Sequence, residues 1–301
     1  MKKRKTPYIP APKLTRISVK ENSTLMEFLL SKMGGMSRSS VKSLLSHRQV
    51  SVNDKVTTQF DAPLKANDLV VINHSHGNLE LTHPKLSIIY EDSDIIVVEK
   101  KEGLLTVTTG TAMETTAFSI LKNYVKKSSK FNKIYTVHRL DRETSGVLVF
   151  AKNSDVQHIF RDNWQEIVTK RIYSAVVEGK VEKEKDQIVS WLTENEVSLK
   201  IKSSPFDNGG KQAITNYVRT KFNDNYSLLE IELETGRKNQ IRVHMETIGH
   251  PIVGDRKYGS TTEIGRLALH ARLLEFYHPV SGEIMHFETQ VPKEFLRLLR
   301  K

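Results

Sequence analysis

Thr136-Val137-His138-Arg139-Leu140-Asp141-Arg142-Glu143-Thr144-Ser145-Gly146 runs directly into the apolar residues 147–151 (VLVFA). A charged loop that ends on a strand this apolar reads as a functional segment carried by the core. Residues 147–151 are the longest uninterrupted apolar run in 301 residues, so no stretch of the sequence has the length of a membrane helix. Inside the loop, Asp141 is flanked by Arg139 and Arg142, and neighbouring cations favour its ionised form. An ionised, positioned carboxylate suits nucleophilic attack on a sugar or base carbon and does not suit proton donation. Thr144, Ser145 and Gly146 are placed to orient the loop. The competing reading is an ordinary surface loop of salt bridges.

Around this loop the pattern is that of an α+β domain over residues 87–301. Residues 88–90 and 95–98 form a hairpin pattern. Stretches 171–177, 213–219 and 226–234 read as strands, the last two joined by an Asn223-Asp224-Asn225 turn. Residues 155–165 carry Val156, Ile159, Phe160 and Trp164 on one helical side. Strands outnumber helices and often follow one another directly, which predicts a mixed, mainly antiparallel sheet flanked by helices. No glycine-rich nucleotide loop is present, so no cofactor is expected.

The N-terminal quarter has a different texture. Residues 1–15 are basic, hold three prolines and read as a tail; no apolar stretch follows the opening cations, so secretion is not expected. A small α/β unit is predicted over 16–73. It has a helix at 24–33 capped by Ser23 or Thr24, and a second helix capped by Ser37 that displays Arg38, Lys42 and Arg48. A hairpin then turns at Asn53-Asp54, and a strand follows at 68–72. Residues 74–86 read as a linker, with His74, His76 and His83 as solvated side chains.

Charge points to the partner. The chain carries a net +11, and its first 80 residues hold 13 basic and 6 acidic side chains, a net +7. A polyanion is the expected partner, nucleic acid before an anionic membrane. Cysteine is absent, which excludes disulfides, thiol nucleophiles and thiolate zinc sites and fits a reducing, cytoplasmic compartment. His244 and His250 lack a third ligand, so no metal site is expected.

Two resemblances sharpen this. SRSSVKSLLSHRQVSVNDKVT, with the later DLVVI, resembles the S-four-type (αL) RNA-binding module; His47-Arg48-Gln49 stands where that family usually has a glycine. His138-Arg139-Leu140-Asp141 with Thr144-Ser145-Gly146 resembles the signature of the RluA-type pseudouridine synthase family. YEDSDIIVVEKKEGLL (90–105), KRIYSAVVEG (170–179), GKQAITNY (210–217), LETGRKNQIRVHM (233–245), GHPIVGDRKYG (249–259) and RLALHARLLEFYHPVSGE (266–283) resemble further motifs of that family, in its order. Lys101 replaces a usual proline, and Lys238-Asn239 a usual Thr-His.

The resemblance implies an isomerase that turns uridine into pseudouridine in RNA. Its motifs fit ribosomal and transfer RNA alike, and the appended αL-type module favours ribosomal RNA. With no coiled-coil heptad or long exposed apolar stripe, a monomer is expected, without membrane or metal. The resemblance also implies Asp141 as nucleophile, toward either the ribose or the uracil ring. Arg242 would pair with Asp141, and Tyr173 would stack on the uracil and help remove the carbon-5 proton. His138, Arg139, Thr144, Arg237 and Lys238 would bind the RNA at the site, with Arg38, Lys42 and Arg48 gripping it from the N-terminal module. From the residues alone, Tyr173 in an alternating strand suits a core position better than a catalytic one, and Arg242 suits phosphate binding on a helix opening at Gly236. The rival functions are a non-catalytic RNA binder and a glycoside-type hydrolase using Asp141 and Glu143.

Overall fold

The computed structural model describes residues 14–34, 36–46, 49–73, 81–108 and 114–300. Arg48, His47, His74 and His76 lie outside the described residues.

The N-terminal unit is a four-stranded sheet of order β1-β6-β3-β4 with two helices. Strand β1 (Leu14–Ser18) pairs antiparallel with β6 (Leu69–Asn73), so the sheet begins inside the stretch read as tail: Leu14 and Thr15 find partners only once β6 lies alongside. The two-residue strands β2 (Ser23–Thr24) and β5 (Pro63–Leu64) pair with each other beside it. Helix α1 (Leu25–Lys32) starts at a capping box between Thr24 and Glu27. Ahead of α2 (Arg38–Ser46), the Ser37 hydroxyl accepts the Ser40 amide at 3.1 Å. β3 (Val50–Val52) and β4 (Lys55–Val56) are joined through Asn53 and Asp54 at φ 49° and 64°, the left-handed pair that matches strand twist. Leu25, Phe28, Leu29, Val41, Leu45, Val70 and Ile72 fill the core between helices and sheet.

The remainder is built on an eleven-stranded sheet. In chain order its strands are β7 (Leu86–Glu91), β8 (Ile95–Lys100), β9 (Tyr135–Thr136), β10 (Ser145–Ala151), β11 (Val168–Glu178), β12 (Lys185–Glu194), β13 (Ile201–Ser204), β14 (Lys211–Phe222), β15 (Tyr226–Leu233), β16 (Leu269–Tyr277) and β17 (Ile284–Glu288). Their order across the sheet is β13-β12-β14-β15-β11-β16-β10-β8-β7, with β17 added to β16 and β9 to β10. The helices are α3 (Ala117–Ser128), α4 (Ser154–Asp162), α5 (Trp164–Ile167), α6 (Gln240–Thr247) and α7 (Lys293–Leu298). The sequence reading anticipated the hairpins β7–β8 and β14–β15 and one helix where α4 and α5 stand. It did not anticipate α3 or β12.

Every residue of β10 is buried, and its alternation explains why. Leu148 and Phe150 join Leu121 and Val125 of α3 on one face. Val147 and Val149 join Val156 and Phe160 of α4 on the other. Each such side chain contributes roughly 1.5–3 kcal/mol.

One seam departs from the antiparallel pattern. β10 runs parallel to β16 through Ser145↔His270 and Gly146↔Ala271, while every other pairing in this sheet is antiparallel. Gly146 has φ +121°, and a Cβ on it would lie 2.1 Å from the Ala271 carbonyl oxygen. Only glycine permits the two backbones to approach so closely. Asp141 sits five residues before this contact.

Candidate active site

The loop bearing Asp141 is pinned from behind. The Thr106 hydroxyl donates to the Leu140 carbonyl at 2.8 Å and accepts the Leu140 amide at 3.1 Å. The Gly103 amide donates to the Arg142 carbonyl at 2.9 Å. Lys100 is fully buried, and its ammonium donates to the carbonyls of Leu104 at 2.8 Å, Arg142 at 3.1 Å and Lys101 at 3.2 Å. Burial pushes its pKa down to about 8, against the attraction of Glu143, Asp141 and Glu102. Three carbonyls and three ammonium protons match in number, so this group is satisfied.

At the seam, Arg266 donates to the Ser145 hydroxyl at 2.5 Å, Ser145 bonds His270 Nδ1 at 2.8 Å, and His270 Nε2 bonds Thr289 at 2.9 Å. Burial, then the Arg266 charge, pushes His270 down to about 3, so its ring is neutral and fixed. The Asp141 loop is thus held before and after the aspartate.

The Asp141 carboxylate borders a cleft of about 490 Å³ together with His138, Arg139, Thr144, Tyr173, Arg237, Lys238 and Arg242. All eight residues assigned to this region from sequence therefore line one concavity. Arg38 and Lys42 belong to α2 of the N-terminal unit; both are exposed, and the Lys42 ammonium lies 5.3 Å from the Phe60 ring centre.

Individual environments differ from expectation. The cation facing Asp141 is Arg242, whose Nη1 stands 3.9 Å from Oδ2, and not its sequence neighbours. Arg142 turns away to Glu114 at 2.7 Å, because its place in the loop aims it outward. Arg242 itself is fixed by Asp255, with Nε to Oδ2 and Nη2 to Oδ1 both 2.7 Å, while Nη1 also reaches Asn239 Oδ1 at 3.3 Å. Asp255, within the 249–259 motif, has no role in the sequence reading, and its two bonds to Arg242 place it beside the site.

His138 is no phosphate cation. Its Nε2 accepts the Val149 amide at 3.1 Å, its ring lies 5.0 Å from the Trp164 ring, and burial, then Arg171, pushes its pKa down to about 3. It is a neutral wall that ties the loop to β10.

Tyr173 on β11 pairs with Ile231 and Ala271 and is partly open to the cleft. Burial raises its phenol, with Asp141 adding and Arg171 opposing, so the phenol stays protonated. Thr144 is buried, and its amide donates to the Asp141 carbonyl at 3.2 Å.

Helix α6 opens at Gln240 rather than Gly236. The Gln240 side chain is the reason. Its oxygen accepts the Arg237 amide at 2.9 Å and the Thr235 hydroxyl at 2.8 Å, and its nitrogen donates to Ile214 and Thr215, which holds 235–239 as a loop. Asn239 ends that loop at φ +54°. With the Arg237 amide already bonded, the phosphate site expected at that helix opening is not built. Arg237 and Lys238 remain exposed at the rim, the first donating to the Gln212 carbonyl at 3.0 Å and the second ion-paired with Glu194. His244 bonds Ser190 and Thr215, and His250 bonds the Glu178 carbonyl.

Residues 94–247 match the profile of the RNA pseudouridylate synthase family. The chain belongs to that family. It is 33% identical over 296 residues to an uncharacterized RNA pseudouridine synthase of Aquifex aeolicus, covering 91% of this chain and 92% of the relative. It is 34% identical over 279 residues to the ribosomal large subunit pseudouridine synthase D of Neisseria meningitidis serogroup B, covering 87% and 74%. The human RNA pseudouridylate synthase domain containing 4 shares the fold, with a TM-score of 0.58 at 22% identity over 69% of this chain and 90% of that one. The synthase converts uridine to pseudouridine in RNA, an isomerisation in which the N1–C1′ bond is replaced by a C5–C1′ bond. No helix among the described residues is long and apolar enough to cross a membrane.

Proposed function

We propose that the synthase acts on uridines in structured large-subunit ribosomal RNA, as a cytoplasmic monomer, with Asp141 as its nucleophile. The observation that carries the assignment of Asp141 is its position: a carboxylate on a doubly pinned loop, in a cleft with an aromatic wall, facing a single guanidinium at 3.9 Å. A base inside a helix is unreachable, so the target nucleotide is flipped into this cleft. Tyr173 stacks on the uracil, and its protonated phenol takes part in proton transfer only after C5 has bonded to C1′. Arg242 keeps Asp141 charged and aimed. Thr144 and His138 shape the loop, while Arg139, Arg237 and Lys238 meet phosphates at the rim. Support for the ribosomal substrate comes from the relative named for the large subunit and from the basic N-terminal unit over 16–73, read as an αL-type RNA grip. In this division the synthase domain occupies 87–301, and Arg38, Lys42 and Arg48 of the N-terminal unit grip the RNA.

Tritium release from RNA labelled at uracil C5 tests this. Large-subunit, small-subunit and transfer RNA are each incubated with the full chain and with Asp141→Asn. Release from large-subunit RNA by the wild type and none by the variant is the expected result. Release confined to transfer RNA overturns the substrate, and release by Asp141→Asn overturns the nucleophile. Free uracil in solution would mark a hydrolase.

A further inference from the structure

We propose that Arg171 holds the negative charge that develops on the uracil carbonyl oxygens during the exchange, an assignment that rests on the reading of the cleft given above. Arg171 and Tyr173 stand two apart on β11, so they share one face of the strand, and both line the cleft. The guanidinium is fixed from one side only. Its Nη2 donates to the carbonyls of Leu233 at 3.1 Å and Glu234 at 3.0 Å. Two carbonyls orient a cation without neutralising it. Arg142, Lys238 and Arg242 each pair with a carboxylate, whereas among the described residues Arg171 forms no ion pair.

The other amino group occupies space that another residue would fill. A Cβ at position 236 would lie 2.8 Å from Arg171 Nη1, so Gly236 leaves room for it. Burial pushes the Arg171 pKa down from its usual range, and arginine still remains charged. Keeping an uncompensated cation half-buried in a cleft costs desolvation, and the arrangement suits an anion that arrives with, or forms on, the substrate.

Depth selects which anion. Arg139, Arg237 and Lys238 are exposed at the rim, where a phosphodiester passes, while Arg171 sits in the wall beside the Tyr173 ring and the neutral His138 ring. A uracil stacked on Tyr173 brings its carbonyl edge within reach. If Asp141 adds at ring C6, the C5–C6 pair moves onto O4 as an enolate. If Asp141 attacks C1′, the C1′–N1 pair leaves with the base. On both routes the ring is anionic before C5 bonds to C1′. On the C6 route the N1–C1′ bond then breaks, C5 takes C1′, and the C6–oxygen bond to Asp141 breaks as C5 loses its proton. On the C1′ route C5 displaces the Asp141 oxygen from C1′ and then loses its proton. N1 gains a proton in each case, so the atoms balance and Asp141 is released as a carboxylate. A guanidinium held in place beforehand stabilises the charge on the ring without reorganising.

The test uses the full chain with Arg171→Gln and Arg171→Lys. It reads single-turnover isomerisation at saturating RNA, RNA Kd against salt, and thermal melting. For Arg171→Gln the saturated rate is expected to fall on the order of 10²–10³-fold, with Kd within about threefold and the salt slope unchanged. Arg171→Lys is expected to recover part of the rate, because it keeps the charge and loses the fork. A saturated rate near wild type, with weaker binding and a salt slope smaller by about one, would make Arg171 a phosphate anchor and overturn the proposal. Equal rate losses in both variants with a lowered melting temperature would reduce it to packing, and also overturn it. An inactive wild type would strike the substrate reading itself, before Arg171 is in question.

Discussion

Arg242 grips Asp255 with two bonds of 2.7 Å, guanidinium fork to carboxylate fork, and Asp255 is 1% exposed. The third nitrogen is what remains for Asp141, 3.9 Å away. The cation that faces the proposed nucleophile is therefore aimed by a second carboxylate, which itself anchors the turn at Arg256–Tyr258. The geometry separates two positions: Asp255 fixes the guanidinium, and Asp141 meets it only at 3.9 Å.

Replacing Asp255 by alanine should release that guanidinium. Single-turnover activity is expected to fall about 10²-fold, the usual consequence of misplacing a group by an ångström. Stability should fall by about 3–5 kcal/mol, since a buried pair loses one partner. Quench-flow measurements and urea unfolding read the two effects. Full activity in Asp255→Ala would mean that Arg242 is aimed by something else.

Gly146→Ala should be among the most damaging single-methyl changes available to the chain. The added carbon collides with the Ala271 backbone and φ +121° disfavours any side chain, so a loss on the order of 3–5 kcal/mol is expected. Gly249 provides the contrast: its φ is +80°, but nothing lies within 4 Å of an added Cβ. Gly249→Ala should cost about 1–2 kcal/mol. Equal losses in urea unfolding would refute the close approach at the seam.

Acid should weaken the fold before carboxylates titrate. His138 and His270 are held neutral down to about 3 and His244 down to about 4, each chiefly by burial. Unfolded, all three take protons near pH 6.5. Between these limits the unfolded chain binds more protons than the native one, so stability rises with pH and is lost as pH falls below about 6.5. The slope approaches roughly 1.4 kcal/mol per pH unit for each histidine. Urea unfolding across pH 5–7.5 reads it, and His244→Gln should flatten the slope by about a third. A pH-independent stability over that range would contradict the buried neutral rings.

Charge reversal on α2 tests the N-terminal grip. Arg38→Glu together with Lys42→Glu should weaken RNA binding about tenfold or more and reduce the salt slope by about two. Filter binding at two salt concentrations measures both. An unchanged slope would mean that these two exposed cations do not meet phosphates.

What the sequence discloses depends on whether a feature is local. The α1 cap, the Asn53-Asp54 turn, the α4 stripe and the loop entering β10 are local, and each stands where its residues suggest. Asp255 carries no such signal, because a pair joining residue 242 to residue 255 across a turn has no period. Arg171 hides for the same reason: its place depends on Leu233 at the end of β15 and on Glu234 and Gly236 in the loop beyond it. The start of α6 misleads because the Gln240 side chain captures the amide that Gly236 would otherwise leave free. β12 escapes notice because its outward residues Lys185, Gln187 and Val189 are exposed and mix charge, amide and methyl groups.

The parallel contact of Ser145 and Gly146 with His270 and Ala271 joins stretches that emerge far apart in time during synthesis. Local hairpins such as β7–β8 and β14–β15 can close as soon as they leave the ribosome, but this seam waits for nearly the whole chain. The loop ahead of it is anchored on its far side only when the seam closes. A nascent chain therefore carries the Asp141 loop held from its Thr106 side alone, and the second anchor arrives as one of the last events of folding.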